Sequence, residues 1–253
     1  MTVTCKQLLD YLQKLLQPQL FQDYCPNGLQ VEGAPVVRKL IAGVSASQAL
    51  VDYAASVNAQ AVLVHHGYFW RNEEAVVVGM KKKRLQTLLQ HDINLLAYHL
   101  PLDAHPEFGN NIELARQLGF IVAGPLYGSG ATALGQHGYL KESTDARYLA
   151  DHISQCLNRR VLHIAGGPKH VKTLGWCTGG AQGYINKAVE LGLDAYISGE
   201  ISEATVHVAK ENGLHYFAAG HHATERYGIQ ALANHLQQQF PLSCDFVDLD
   251  NPA

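Results

Sequence analysis

The chain has 253 residues, of which 47% are hydrophobic and 16% charged, and its formal net charge is −3 at pH 7 with neutral histidines. This is the composition of a globular protein with enough length for a large core, and the charge excludes a general electrostatic attraction to nucleic acid or to an acidic membrane. The five cysteines form no C-x-x-C pair, which argues against a disulfide framework and a thiolate zinc site. No signal peptide and no apolar run of about 18 residues is recognisable, so a cytoplasmic protein without membrane attachment is expected.

The first half of the sequence alternates short apolar runs with helical stretches. It begins with an amphipathic helix pattern in MTVTCKQLLDYLQKLL. Strands that alternate with helices of about 10–15 residues indicate βαβ units and a largely parallel sheet. The strands are expected at 40–44, 61–64 and 94–100, and the helices at 47–57 and 79–91.

The same pattern returns in the second half of the sequence. NAQAVLVHH (58–66) aligns with GLDAYISGE (192–200), and YHLPLD (98–103) aligns with GHHATE (220–225). The second alignment places a His-x-x-x-carboxylate pattern after the third strand of each half. An internal duplication is favoured over a chance likeness of two βαβαβ stretches. The expected fold is therefore α/β, with two interlinked and similar units that have mainly parallel sheets.

The expected units are residues 1–123 and 124–253. Residues 124–170 are richer in glycine and are expected to form an insertion in the second unit with a strand, a helix and a strand. A C-terminal helix and a closing strand, which either stay with the second unit or return to the first, are expected at 229–240 and 244–249.

Polar clusters follow the apolar runs at the predicted carboxyl ends of the strands, which is where open parallel sheets bind ligands. His65 and His66 directly follow the run AVLV. Adjacent residues of a strand point to opposite faces, so both histidines can serve one site only if the strand has ended before them. The other clusters comprise Asp103, Gly199 with Glu200, and His221, His222 and Glu225.

These residue types favour a metal site. Imidazole and carboxylate ligands without thiolate are typical of zinc, iron, manganese, cobalt or nickel. Five such ligands exceed the three that one catalytic ion needs from the protein, which favours two ions that share a carboxylate. If a helix begins near His221, then His221 and Glu225 lie one turn apart on the same face, and His221 is the expected ligand rather than His222.

Several long motifs resemble those of the NIF-three-like family, in particular its YbgI-type bacterial members, which are known as GTP cyclohydrolase 1 type 2 homologues. The resemblance covers nearly the whole chain and is weakest over 124–170. The motifs are PNGLQVEG (26–33), GVSASQAL (43–50), VHHGYFW (64–70), HLPLDAHPEFGNN (99–111), WCTGGAQ (176–182), ISGEISE (197–203) and AAGHHATER (218–226).

The resemblance implies a dinuclear centre with two divalent metal ions per subunit. It also implies a toroidal homohexamer whose metal sites face an internal cavity. The ligands that it implies are the five favoured by their positions in the sequence: His65, His66, Asp103, His221 and Glu225.

Three further residues are candidates for catalytic roles. His99 is a general base or a partner that orients a ligand, unless it is an ordinary packed histidine. His222 is a candidate proton shuttle. Glu200 either orients a ligand, takes a proton, or is a surface carboxylate. The pair Gly179-Gly180 is typical of a tight turn and is a weaker candidate for holding a phosphate.

The site and the resemblance together predict a metal-dependent hydrolase of a nucleotide or related heterocycle. One alternative is a metal-binding adaptor or metal-handling hexamer without enzymatic activity. Another is a DNA-associated protein, which would need a positive patch such as the run Lys81-Lys82-Lys83-Arg84. Such a run is more typical of a solvated helix face, so nucleic acid is not an expected partner.

Overall fold

A computed structural model describes residues 2–253, which divide into two compact units. The first unit runs to Leu102 and resumes at Ile229–Asp250, and the second comprises Asp103–Gly228 and Asn251–Ala253. The boundary lies at Leu102 rather than at residue 123 because the helix after Asp103 packs its apolar residues, such as Leu114, into the core of the second unit.

The strands alternate with helices through most of the described chain, as the sequence pattern predicts. In chain order the strands are β1 (Val3–Thr4), β2 (Gly28–Val31), β3 (Val36–Val37), β4 (Lys39–Ser45), β5 (Ala61–His66), β6 (Asn94–Ala97), β7 (Ile121–Tyr127), β8 (Leu134–Asp145), β9 (Leu162–Ile164), β10 (His170–Cys177), β11 (Ala195–Ser198), β12 (His215–Ala218) and β13 (Ser243–Phe246).

Nine α-helices are present in the described residues, and those expected at 47–57 and 79–91 begin within one residue of the predicted positions. The helix expected at 229–240, by contrast, begins at His221, and two helices between residues 100 and 118 were not expected. The nine helices are α1 (Cys5–Leu16), α2 (Gln48–Ser56), α3 (Gly79–Gln90), α4 (Leu100–Ala104), α5 (Asn110–Leu118), α6 (Ala146–Leu157), α7 (Ile185–Glu190), α8 (Glu203–Glu211) and α9 (His221–Gln239). The first of them begins with a capping box, in which the Gln7 amide donates to Thr4 Oγ1 and the Thr4 amide donates to Gln7 Oε1. None of the helices described is long and apolar enough to span a bilayer.

The first unit is built around a sheet with the strand order β13-β4-β5-β6-β2. All its pairs are parallel except that of β2 with β6. Leu63 packs with Leu8 of α1 and Leu232 of α9, whereas Val62, its neighbour on β5, packs with Leu50 of α2. Helices therefore cover both faces of this sheet, as nearly continuous apolar runs predict.

The second unit has a mixed sheet with the order β7-β8-β10-β11-β12-β9. Its central strands β10, β11 and β12 are parallel, like β4, β5 and β6 of the first unit, which is consistent with the predicted duplication. The sheet differs from the mainly parallel one expected because β7, β8 and β9 pair antiparallel. Two of these strands, β8 and β9, come from the predicted insertion.

The basic run in α3 is only partly solvated. Lys82 and Lys83 are exposed, whereas the ammonium group of Lys81 lies 5.2 Å from the ring centre of Phe69 and donates to the carbonyl of Glu74 at 2.9 Å. The guanidinium of Arg84 lies 5.8 Å from the ring centre of Tyr68. The contacts of Lys81 and Arg84 hold the loop that follows the histidine pair.

Candidate metal centre

Two histidines stand at the carboxyl end of β5 in the first unit. The prediction that the strand ends before them is wrong, because the pairing of β5 with β4 continues to Ser45 and His66. The pairing of β5 with β6, by contrast, ends at Val64. Beyond Val64, β5 is therefore paired with β4 alone. There the two imidazole rings lie with their centroids 4.5 Å apart. Both side chains can therefore serve one site although they are consecutive in a strand.

The Nδ1 atom of each histidine in this pair is already engaged. His65 Nδ1 donates to the Tyr98 carbonyl at 3.0 Å, which fixes the tautomer whose Nε2 carries a lone pair. His66 Nδ1 shares a hydrogen bond of 3.1 Å with Ser45 Oγ. Histidines that bind metals are oriented in this way by a partner on their second nitrogen.

His99 joins the pair within the first unit. One ring nitrogen from each of His65, His66 and His99 lies within 4.8 Å of the other two. The backbone amide of His99 donates to Asn27 Oδ1 at 2.7 Å, and its Nδ1 is 2.7 Å from Asp23 Oδ1. Its position is therefore set through both the main chain and the side chain.

Asp23 is held as a carboxylate. Burial alone would raise its pKa, but the hydrogen bond and charge of His99, together with the hydrogen bonds from Asn27 and Tyr24, keep the pKa below its ordinary value. Neither Asp23 nor Asn27 was identified from the sequence. Asn27 does lie in the motif PNGLQVEG, so the resemblance of that motif to the family could have pointed to a role for Asn27 in the site.

In the second unit, Asp103 is oriented by buried polar residues. It lies on α4, and its Oδ1 accepts from Asn110 Nδ2 at 2.9 Å and from Thr178 Oγ1 at 3.4 Å. Asn111 donates to the Asp103 carbonyl and accepts from the Thr178 amide. The two asparagines were not singled out from the sequence, although they end the motif HLPLDAHPEFGNN.

His221 and Glu225 also lie in the second unit. Helix α9 begins at His221, eight residues before the helix expected at 229–240, and His221 Nε2 is 3.2 Å from Glu225 Oε2 one turn later. A carboxylate oxygen of Glu225 lies within 4.8 Å of one of Asp103. The second unit therefore gathers two carboxylates and one imidazole.

Glu200 orients His221. It follows β11, and its Oε1 lies 2.7 Å from His221 Nδ1. Burial alone would lower the pKa of His221, but hydrogen bonds and charges from Glu225 and Glu200 outweigh burial and raise it to about 9. Of the two functional roles considered for Glu200, this geometry favours the orienting one.

His222 has a different setting. Its side chain is buried, and its backbone amide donates to the carbonyl of Ala253 at 3.3 Å. In the part of the chain that the structure describes, it is not a member of any group of three candidate ligands. Its role as a proton shuttle stays a prediction.

Glycine at position 179 allows the second unit to gather these groups. Gly179 has a φ of +66°, and a Cβ atom there would overlap Glu225 Oε1 and lie 3.0 Å from His221 Nε2. A second carboxylate flanks the next residue, because a Cβ on Gly180 would lie 3.5 Å from the carboxylate of Glu200. Two carboxylates beside this glycine pair disfavour a phosphate and favour a cation.

Two thiols near these groups, Cys25 and Cys177, are buried and stay protonated at neutral pH in the metal-free protein. Burial, with a smaller contribution from Asp23, raises the pKa of Cys25 to about 12. Burial also raises the pKa of Cys177 well above its ordinary value, and Asp103 and Glu225 add to this. The five candidate ligands offer imidazole nitrogens and carboxylate oxygens, which fit divalent ions of the zinc, iron, manganese, cobalt or nickel type.

The fold and the donor groups define an α/β protein with imidazole and carboxylate clusters at the strand ends of both units. The chain belongs to the family Duf34/NIF3 (NGG1p interacting factor 3), whose sequence pattern matches residues 3–252. This finding confirms the resemblance seen in the motifs.

Relatives of known sequence and structure match the whole chain. A Pseudomonas aeruginosa protein named "GTP cyclohydrolase 1 type 2 homolog" is 52% identical over 253 residues, which is 100% of both chains. The solved structure titled "protein ybgI, unknown function" is 48% identical, with a TM-score of 0.96 over 99% of this chain and 100% of that one. A Thermus thermophilus structure is 37% identical, with a TM-score of 0.87 over 99% of each chain.

The glycine position gives a direct test of the metal centre. Gly179→Ala is expected to lower the metal content of the purified protein, because the new methyl group overlaps Glu225 and strains the backbone. Gly183→Ala is the matched control, since a Cβ there meets nothing within 4 Å. Elemental analysis after dialysis against zinc measures both variants, and equal metal content in the two would contradict the assignment.

The pKa of His221 predicts how the stability of the metal-free protein depends on pH. A folded-state value of about 9 exceeds the ordinary 6.5, so His221 contributes stability that is complete below pH 6.5 and lost as the pH rises through 9. Glu200→Gln should reduce this loss, whereas Glu211→Gln, in the exposed pair with His207, should leave it unchanged. Urea midpoints at pH 6.5 and 9 measure the effect, and an identical pH dependence in Glu200→Gln would refute the interpretation.

Proposed function

We propose that the protein is a metal-dependent hydrolase that acts on a nucleotide or a related heterocycle. In this proposal His65 and His66 of the first unit and Asp103, His221 and Glu225 of the second together bind two divalent ions. The observation that carries the proposal is that candidate ligands of both units already have fixed orientations. His65 is held by the Tyr98 carbonyl, and His221 by Glu200.

The names of the relatives support the choice of substrate class. The Pseudomonas aeruginosa and Vibrio cholerae relatives, both 52% identical to this chain, are named as homologues of a GTP cyclohydrolase. A purine nucleoside triphosphate is therefore the first substrate to test. Fold alone would not justify this choice, because one fold carries many activities.

Divalent ions would lower the pKa of water in contact with them to about 7, which makes a nucleophile available at neutral pH. The side chains of the protein have distinct tasks in this proposal. Asp103 supplies an anionic ligand whose position is fixed by Asn110. Glu200 keeps a proton on His221 Nδ1, so that Nε2 is the ligating atom. His222, the next residue along α9, is proposed to move a proton during turnover.

Turnover by the metal-loaded protein tests this function. Asp103→Asn should lose both metal and activity, because an amide cannot supply the anionic charge of the carboxylate. His222→Gln should lower turnover by about 10²–10⁴-fold with unchanged metal content, as expected for a proton-transfer residue. Release of product from GTP, other nucleotides and phosphoesters is measured beside metal content.

His65→Ala serves as the blank, and His91→Gln, a change at an exposed histidine, is the control. Full turnover after removal of metal by a strong chelator would refute the mechanism. Bound metal without turnover on any substrate would favour the alternative of a metal-handling or adaptor protein.

We also propose that the protein assembles as a homohexamer. An exposed apolar segment formed by Val76, Val77, Val78 and Met80 supports self-association, since a contiguous apolar surface of this kind is commonly covered by a partner. Net charge gives no reason for nucleic acid to be that partner.

Light scattering tests the assembly. The unchanged protein should have a mass of about six times 27.7 kDa, and Val77→Asp should dissociate it because a charge would be buried in the contact. Val77→Thr keeps the shape of the side chain and should leave the assembly intact. A monomer at micromolar concentration would contradict the proposal, and an intact hexamer in Val77→Asp would contradict the role of the segment.

A further inference from the structure

A cavity of about 550 Å³ opens on the surface of the first unit. Its walls come from α1, from the turn that follows α1, from the segment that leads to β2 and from the loop that follows β5. None of the five residues proposed as metal ligands lines it. A volume of about 300–1,000 Å³ is usual for pockets that bind small molecules, so this cavity is large enough for one.

Arg71 gives the cavity a cation that neutral groups hold in place. Its amide donates to the Tyr24 carbonyl at 2.7 Å, and its Nη2 donates to the Asp23 carbonyl at 2.9 Å. The guanidinium lies 5.5 Å from the centre of the Tyr24 ring. Among residues 2–253, no carboxylate forms an ion pair with Arg71. A guanidinium that is already oriented and has no counter-ion loses little side-chain freedom when it binds an anion.

Asp23 is the only acidic residue that lines the cavity within the described chain, and its hydrogen-bonding capacity is already used. Its Oδ1 accepts from the Tyr24 amide at 2.6 Å and lies 2.7 Å from His99 Nδ1. Its Oδ2 accepts from Asn27 Nδ2 at 2.8 Å and from the Leu100 amide at 3.0 Å. These four partners spread the negative charge of the carboxylate. A cationic ligand therefore finds no free carboxylate here, whereas an anionic ligand finds Arg71.

Glutamine amides and an aromatic ring complete the wall. Gln13 Nε2 donates to Gln19 Oε1 at 3.0 Å, which leaves an acceptor on Gln13 and a donor on Gln19. The exposed Gln22 adds one more amide. The ring of Phe21 is partly exposed and belongs to none of the hydrophobic cores among the described residues. An aromatic face beside groups that donate and accept is suited to a nucleobase, which stacks and forms hydrogen bonds along its edge.

We propose that this cavity binds a nucleoside monophosphate, with the phosphate on the guanidinium of Arg71 and the base against Phe21 and the glutamine amides. A planar guanidinium binds two phosphate oxygens at once, which fixes the position of the phosphate. The site goes beyond the proposed function and does not rest on it, because binding here needs no metal ion.

Calorimetric titration of the full chain tests the site, with GMP, AMP and inorganic phosphate as the probes. At least one of the two nucleotides is expected to bind once per chain, at least about 5-fold more tightly than inorganic phosphate because of stacking. The titration is repeated in the presence of a strong chelator. The affinity for the nucleotide should not change, because the metal centre does not hold it.

Two variants assign the contacts. Arg71→Gln should raise the dissociation constant of the nucleotide at least about 10-fold, since it removes the charged donor, and should leave the metal content unchanged. Arg38→Gln changes an exposed arginine of the same unit that does not line the cavity, and it should have no effect. Phe21→Ala should weaken the nucleotide at least about 5-fold and leave inorganic phosphate unaffected. Circular dichroism checks that each variant is folded.

The results that would overturn the site are distinct from those that would reject the hydrolase. The site is overturned if neither nucleotide binds at millimolar concentration, or if both bind no more tightly than inorganic phosphate. Binding that the chelator abolishes and that folded Arg71→Gln leaves unchanged would assign the nucleotide to the metal centre and also overturn the site. Absence of turnover by the metal-loaded protein would reject the hydrolase alone, because nucleotide binding at Arg71 does not require it.

Discussion

An imidazole binds a metal only through a nitrogen that carries no proton, so the position of one hydrogen atom decides whether a histidine is a ligand. Much of the polar structure at the strand ends serves to fix that hydrogen on Nδ1. The partner is a main-chain carbonyl for His65 and a carboxylate for His99 and for His221. Each partner comes from a different part of the chain, so the orientation of these histidines depends on the fold as a whole.

In the second unit, electrostatic repulsion between buried carboxylates is a further constraint on the candidate ligands. Asp103 and Glu225 are buried, and an oxygen of one lies within 4.8 Å of an oxygen of the other. Two buried carboxylates this close repel each other and lose hydration, so cations nearby stabilise them. The raised pKa of His221 shows the protein supplying one such positive charge from its own side chains. Divalent ions would supply more charge in the same place.

Periodicity and spacing predicted the main elements because they report on local structure. The apolar runs predicted the central strands, and the spacing of His221 and Glu225 predicted a common face on the condition, met in the structure, that a helix begins near His221. Asp23 was beyond this reasoning, since its contact with His99 spans 76 positions along the chain and no local pattern encodes it. The unit boundary was displaced for a similar reason, because the core to which α5 belongs is decided by tertiary packing.

Helix α9 passes from one unit to the other at Gly228, with His221 and Glu225 before that point and Leu232 and Leu236 after it. The later turns complete the core of the first unit, whose sheet also takes its edge strand β13 from the end of the chain. A gene fragment that stops at Leu102 would therefore encode a unit lacking part of its core and one edge of its sheet. Even if the two units arose by duplication, the first unit needs residues 229–250 to complete its core, so it cannot be expressed as residues 1–102 alone without losing that part of its core.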